Sequence, residues 1–162
     1  MTVKSFDKDL ENLTLTLTAE FPAPVDKVWQ LWADPRRLER WWGPPSYPTT
    51  FVEYDLTPGG DARYFMTGPE GDKHHGYWRI STVEPPAGLE FTEGFTHADG
   101  TPDDAMPSMN VRVRLVAREG GTRMEMRSQF DSRAQMEQMF AMGVEEGLTT
   151  AVGQMDALLT EL

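Results

Sequence analysis

From Ser132 onward the apolar or small residues Met136, Phe140, Gly143, Gly147, Ala151, Met155, Leu158 and Leu162 recur every three or four positions, the spacing of one face of an α-helix. Ser132 can serve as its N-cap. This predicts one long closing helix that runs nearly to the C-terminus, and the rest of the chain must build a surface for its apolar face to cover. The middle of that face is thin, because Gly143, Gly147 and Ala151 stand between bulkier residues at either end. Each Gly inside a helix costs about 0.8–1 kcal/mol relative to Ala, so two on one face need a reason. Either they let a strand or short helix approach closely, or they leave a space where an apolar small molecule can sit. The sequence leaves both accounts open.

The preceding residues read mostly as strands. Leu13, Leu15, Leu17, Ala19 and Phe21 alternate with Thr14, Thr16, Thr18 and Glu20, the period of a strand with one buried and one wet face. Pro22 and Pro24 end it. Val25, Val28, Trp29 and Trp32 then fall at helical spacing, and Asp34-Pro35 starts a second short helix through Leu38 to Trp41, with Asp as N-cap and Pro at the first helical position. From Tyr47 to Phe130 about six strands are separated by Pro58-Gly59-Gly60, Gly68-Pro69-Glu70-Gly71-Asp72, Pro85-Pro86-Ala87-Gly88 and Glu119-Gly120-Gly121. The clearest place Met109, Val111, Val113 and Leu115, then Met124, Met126 and Ser128, on one face. The layout is α+β: an antiparallel sheet of about six to seven strands wrapped around a long C-terminal helix, with two short helices after strand one. With 162 residues there is room for one domain, 1–162, with residues 1–9 expected to be a flexible lead-in.

Composition narrows the function. A formal charge of -11 disfavours nucleic acid and anionic membrane surfaces as partners, since both attract a cationic face. No cysteine is present, which removes disulfides, thiolate metal sites and a Cys nucleophile. Residues Met1 to Glu20 lack the unbroken apolar run of a signal peptide, and no later stretch is long enough to span a bilayer, so a cytoplasmic location is expected.

Few residues invite a chemical role. His74 and His75 are adjacent, so on a strand they point to opposite faces, and His97 is distant; no metal site is expected. Glu145 and Glu146 lie off the apolar stripe and read as solvated. The segment His97 to Pro107, with Asp103-Asp104, reads as a loop that rims the mouth of any cavity. No Ser has a neighbouring His-plus-acid signature and no glycine-rich phosphate loop opens a helix, so no catalytic residue and no cofactor is assigned. Arg63, Tyr64, Tyr77 and Glu93 stand out as polar groups in otherwise apolar strands, but a one-residue slip in register decides which face inward. The candidates for lining a cavity are Trp42, Tyr64, Tyr77, Trp78, Phe91, Glu93, Met109, Val111, Met126, Phe140, Gly143, Val144, Gly147 and Ala151.

Six local motifs in this order carry a family resemblance: Pro24-Val25-Asp26-Lys27-Val28-Trp29, Trp41-Trp42-Gly43-Pro44, Asp55-Leu56-Thr57-Pro58-Gly59-Gly60, Gly76-Tyr77-Trp78, Glu84-Pro85-Pro86 and Gly121-Thr122-Arg123-Met124. Together, over roughly Leu13 to Leu162, the chain resembles the family related to the activator of heat-shock protein 90 ATPase, within the START-like superfamily of polyketide cyclases and lipid-transport proteins. The resemblance implies a helix-grip fold and, at this size, a binder of a hydrophobic or aromatic small molecule. It implies no shared catalytic triad or metal site. Many relatives have Gly-Trp in the closing helix where this chain has Gly147-Leu148. Two other expectations stand beside the binder: an interaction module that docks on a chaperone or other protein through its acidic surface, and a cyclase- or hydrolase-type enzyme with a buried acid or base such as Glu93 or Tyr77.

Overall fold

A computed structural model describes residues 3–162. Eight strands form one antiparallel sheet: β1 (Val3–Asp9), β2 (Thr14–Phe21), β3 (Thr49–Tyr54), β4 (Asp61–Thr67), β5 (Lys73–Glu84), β6 (Gly88–Phe95), β7 (Met109–Arg118) and β8 (Gly121–Phe130). Their order across the sheet is β1-β2-β8-β7-β6-β5-β4-β3. Two short helices, α1 (Val25–Ala33) and α2 (Pro35–Leu38), follow β2, and α3 (Arg133–Ala141), α4 (Val144–Gly153) and α5 (Met155–Leu159) close the chain. This is a helix-grip α+β fold.

The alternating residues define the buried face. Leu17 pairs with Met126, and Met126 with Val113, so three central strands present apolar side chains to the same side. Bulges in the β1–β2, β3–β4 and β5–β6 pairs bend those strands. Asp34 caps α2 by accepting from Arg36 N at 2.9 Å, and Ser132 caps α3 by accepting from Gln135 N at 3.1 Å, as their residue types dictate.

The structure corrects three expectations. Val3–Asp9 is an edge strand rather than a flexible lead-in; residues 1 and 2 of that expectation lie outside the described residues. Its partly buried Val3 and Phe6 are three residues apart because a bulge falls between Val3 and Ser5, which hides the strand period. This strand also brings the count to eight instead of six to seven. Finally, the closing segment is three helices, not one. Gly143, at φ +88°, takes the left-handed conformation and breaks the helix between α3 and α4. Its glycine is explained by the backbone, not by a packed stripe.

Candidate functional site

Most of the interior beside α1 and α2 is filled by aromatic rings. Trp32, Trp41, Trp42 and Trp78 touch in a chain of ring contacts, with centroids 4.7 to 5.5 Å apart for Trp32–Trp41, Trp42–Trp78 and Trp41–Trp42. Phe91 stacks on Trp78 at 4.0 Å. Trp41 Nε1 donates to the Leu31 carbonyl at 2.9 Å, whereas the buried Trp32 Nε1 has no acceptor among the described residues. A pocket of about 200 Å³ opens at the edge of this cluster, beneath α4. It is lined by Trp42, Gly43 and Pro44 from the turn after α2, Tyr64 and Met66 from β4, Glu93 from β6, Met109 from β7, and Val144, Gly147, Leu148 and Ala151 from α4.

Register decides which polar groups reach it. Trp78 pairs with Glu93 across β5 and β6, and Tyr64 with Gly76 across β4 and β5, so Trp78, Glu93 and Tyr64 share the inner face. Trp78 Nε1 donates to Glu93 Oε2 at 2.9 Å and Tyr64 Oη donates to the same oxygen at 3.3 Å. Gly76 makes this possible: a Cβ there would stand 2.6 Å from the Tyr64 ring and hydroxyl, so only glycine lets the phenol lie across the neighbouring strand. The Trp42 backbone is held in turn by the Thr49 hydroxyl, which donates to its carbonyl.

Burial raises the Glu93 carboxyl from its ordinary 4.5 to about 7, against the opposing pull of the Trp78 and Tyr64 hydrogen bonds. Burial, and then the charge of Glu93, push the Tyr64 phenol well above its usual value, so it stays a neutral O–H donor. Glu93 is the one charged residue in an otherwise apolar and aromatic lining. The arrangement can hold a body of about one ring, given that a 150 Å³ apolar cavity accepts benzene, with a polar point at one wall.

The sequence candidates divide cleanly. Trp42, Tyr64, Glu93, Met109, Val144, Gly147 and Ala151 line the pocket. Trp78, Phe91, Val111 and Met126 are fully buried in the packed core and do not line it. Tyr77 points the other way, into an outer cleft with Arg63 and Arg79. Phe140 packs on Phe130 under Lys8, and Gly143 forms the helix break. Gly43, Pro44, Met66 and Leu148 were missing from the candidates. Met66 follows Tyr64 by two residues on one strand, so the strand period alone places it on the same face. Gly100 and Pro102 join the outer cleft instead of rimming the pocket as expected of their loop.

A larger groove of about 440 Å³ lies between Pro22–Asp26 and the β7–β8 turn; its charged lining residues, Asp26 and Arg118, are both exposed, and none of the sequence candidates lines it. Among the described residues no group of three or more His, Asp or Glu is arranged to hold a metal ion, and no helix is long and apolar enough to cross a membrane.

A family model described as "Activator of Hsp90 ATPase homolog 1-like protein" matches residues 22–160. The chain belongs to this family. A solved structure from Arthrobacter aurescens is 48% identical, with a TM-score of 0.94 and coverage of 99% of this chain and 94% of that one. Protein Ms6760 from Mycobacterium smegmatis is 46% identical, with a TM-score of 0.90 and coverage of 97% and 96%. A structure from Staphylococcus epidermidis keeps the fold at 25% identity, with a TM-score of 0.85 and coverage of 98% and 94%. No curated protein matches the chain. Within this Activator of Hsp90 ATPase homolog 1-like chain the Trp41-Trp42-Gly43-Pro44 and Gly76-Tyr77-Trp78 motifs both act at the pocket, the first as wall and the second as the support of Tyr64 and Glu93.

Proposed function

We propose that the protein binds a small hydrophobic or aromatic molecule in the pocket beneath α4. The observation that carries this reading is at Gly147: a Cβ built there meets no atom within 4 Å, although the residue lines the pocket on the helix side. Open space at that point supports the cavity account of the small residues over close approach by a strand or helix. The volume of about 200 Å³ lies below the usual range of roughly 300–1,000 Å³ for drug-sized ligands, so the ligand is a compact one.

Gly147→Phe tests it. The new ring fills the space from the helix side, so binding of single-ring compounds, followed by NMR shifts of Met66, Met109 and Leu148 methyls, is lost while the dispersion of the spectrum stays native. Undiminished binding in this variant, or its failure to fold, speaks for a different site or for a tightly packed one.

A further inference from the structure

The polar wall of the pocket has a direction. Glu93 Oε2 is occupied by two donors, the Trp78 indole N–H and the Tyr64 hydroxyl, which orient the carboxylate as a fixed acceptor. Oε1 has no hydrogen-bond partner among the described residues, and Glu93 is a lining residue of the pocket. Trp42 and Tyr64 line the same pocket, Tyr64 meeting Glu93 through its hydroxyl. A carboxylate with one open oxygen in an otherwise uncharged, aromatic-lined pocket suits an organic cation, which gains an ion pair with it while its apolar body stays against the rings and aliphatic groups. No cationic side chain lines the pocket to neutralise Glu93 from within. The net charge of -11 adds long-range attraction for a cation and repulsion for an anion.

We infer that the pocket selects a small organic amine, of about one ring in size, whose ammonium group sits against Glu93 Oε1 with its apolar body under Gly147 and Leu148. This deepens the binding function proposed above and rests on it. It separates the ligand from fatty or aromatic acids of the same size, which bring a negative charge to Glu93. Because the Glu93 carboxyl lies near 7, amine binding is strongest where that group is ionised and weakens as it takes up a proton. The other side chains facing it are Tyr64 from β4, neutral throughout, Trp78 from β5, Met109 from β7, Trp42 from the turn, and apolar groups of α4. None of these titrates in that range.

Three probes with one ring and one substituent decide it: benzylamine, benzyl alcohol and benzoate, titrated by calorimetry and NMR against the whole chain. At about pH 8 benzylamine is expected to bind at least roughly tenfold more tightly than benzyl alcohol, with benzoate the weakest. Lowering the pH to about 5.5 erodes the benzylamine affinity by roughly tenfold and leaves benzyl alcohol unchanged. In Glu93→Gln the amine preference and its pH dependence both vanish while benzyl alcohol still binds. If the wild-type protein binds benzyl alcohol or benzoate as tightly as benzylamine, the amine inference is overturned and the pocket reading stands. If none of the three binds, the pocket reading falls and takes the inference with it. The wild-type pH series needs no mutant, so a poorly folded Glu93→Gln does not shield the inference.

Discussion

At its C-terminal end the closing helical segment is fastened to the rest of the fold. Ala151, Val152, Met155, Leu158 and Leu159 are buried. Gln154 Nε2 donates to the Trp41 and Gly43 carbonyls at 3.2 and 2.8 Å, Lys27 Nζ donates to the Leu162 carbonyl at 2.9 Å, and Arg40 makes a forked pair with Glu161. A few residues earlier, Val144, Gly147 and Leu148 are only partly buried, and Lys8 pairs with Glu145 at 3.4 Å where both side chains are still reached by solvent, a setting in which an ion pair contributes about 0–1 kcal/mol. The segment thus has a fixed end, from the last turn of α4 through α5, and a raised end at the start of α4, and the pocket lies under the raised end. The difference comes from the side chains beneath: tryptophans fill the fixed side, while glycine at 147 and the turn at Gly43-Pro44 leave the other side unfilled.

The strongest way to break this contrast is to empty the filled side. Trp41 is fully buried, hydrogen-bonded through Nε1 and packed edge-on against Trp32 and Trp42. Trp41→Ala is expected to lose about 3–5 kcal/mol of stability in urea unfolding, and a loss under 1 kcal/mol shows that the cluster is not the anchor described here.

Glu93→Gln acts at the border between the two sides. Its carboxyl sits at about 7 in the fold against an ordinary 4.5, which the unfolded chain keeps. Between those values the folded state holds more protons than the unfolded one, so this group's effect on stability worsens as pH rises from about 4.5 to about 7 and is fully unfavourable above that. Gln keeps an acceptor for Trp78 and Tyr64 but does not ionise. The variant is therefore expected to exceed the wild type by about 1–3 kcal/mol near pH 8 and to match it near pH 4.5. A difference that does not vary with pH removes Glu93 as the titrating group.

The core strands and the helix caps were more legible in the sequence than the pocket. Leu15, Leu17, Ala19 and Phe21, with Met109 to Leu115, announce their inner face through a local period of two, and Asp34 and Ser132 announce caps by residue type alone. The raised side depends on non-local facts. Tyr64 and Tyr77 look alike in the sequence, yet one faces the pocket and the other an outer cleft, and only the pairing of Gly76 with Tyr64 and of Trp78 with Glu93 decides which. Phe140 fits the same helical stripe as Gly147, but the left-handed residue between them separates the two faces, and Phe140 packs on Phe130 instead. A positive φ at Gly143 leaves no mark in the sequence that distinguishes it from a glycine retained for packing.

That distinction can be measured with one substitution at two places. Gly143→Ala forces a Cβ into the left-handed region at φ +88°, so it is expected to lower stability by about 1–2 kcal/mol although no neighbour is closer than 3.7 Å. Four residues later Gly147 lies inside α4, and an added Cβ meets nothing within 4 Å. There alanine reduces the freedom of the unfolded chain and improves helix propensity without a clash, so Gly147→Ala is expected to gain about 0.4–1 kcal/mol, a rise of roughly 1–4 °C in Tm for a chain of this size. Opposite signs in thermal unfolding separate a glycine kept for its backbone from one above an open pocket. A loss of stability in Gly147→Ala would instead mean that something presses on the helix at that point, and the raised end would then be packed like the fixed one.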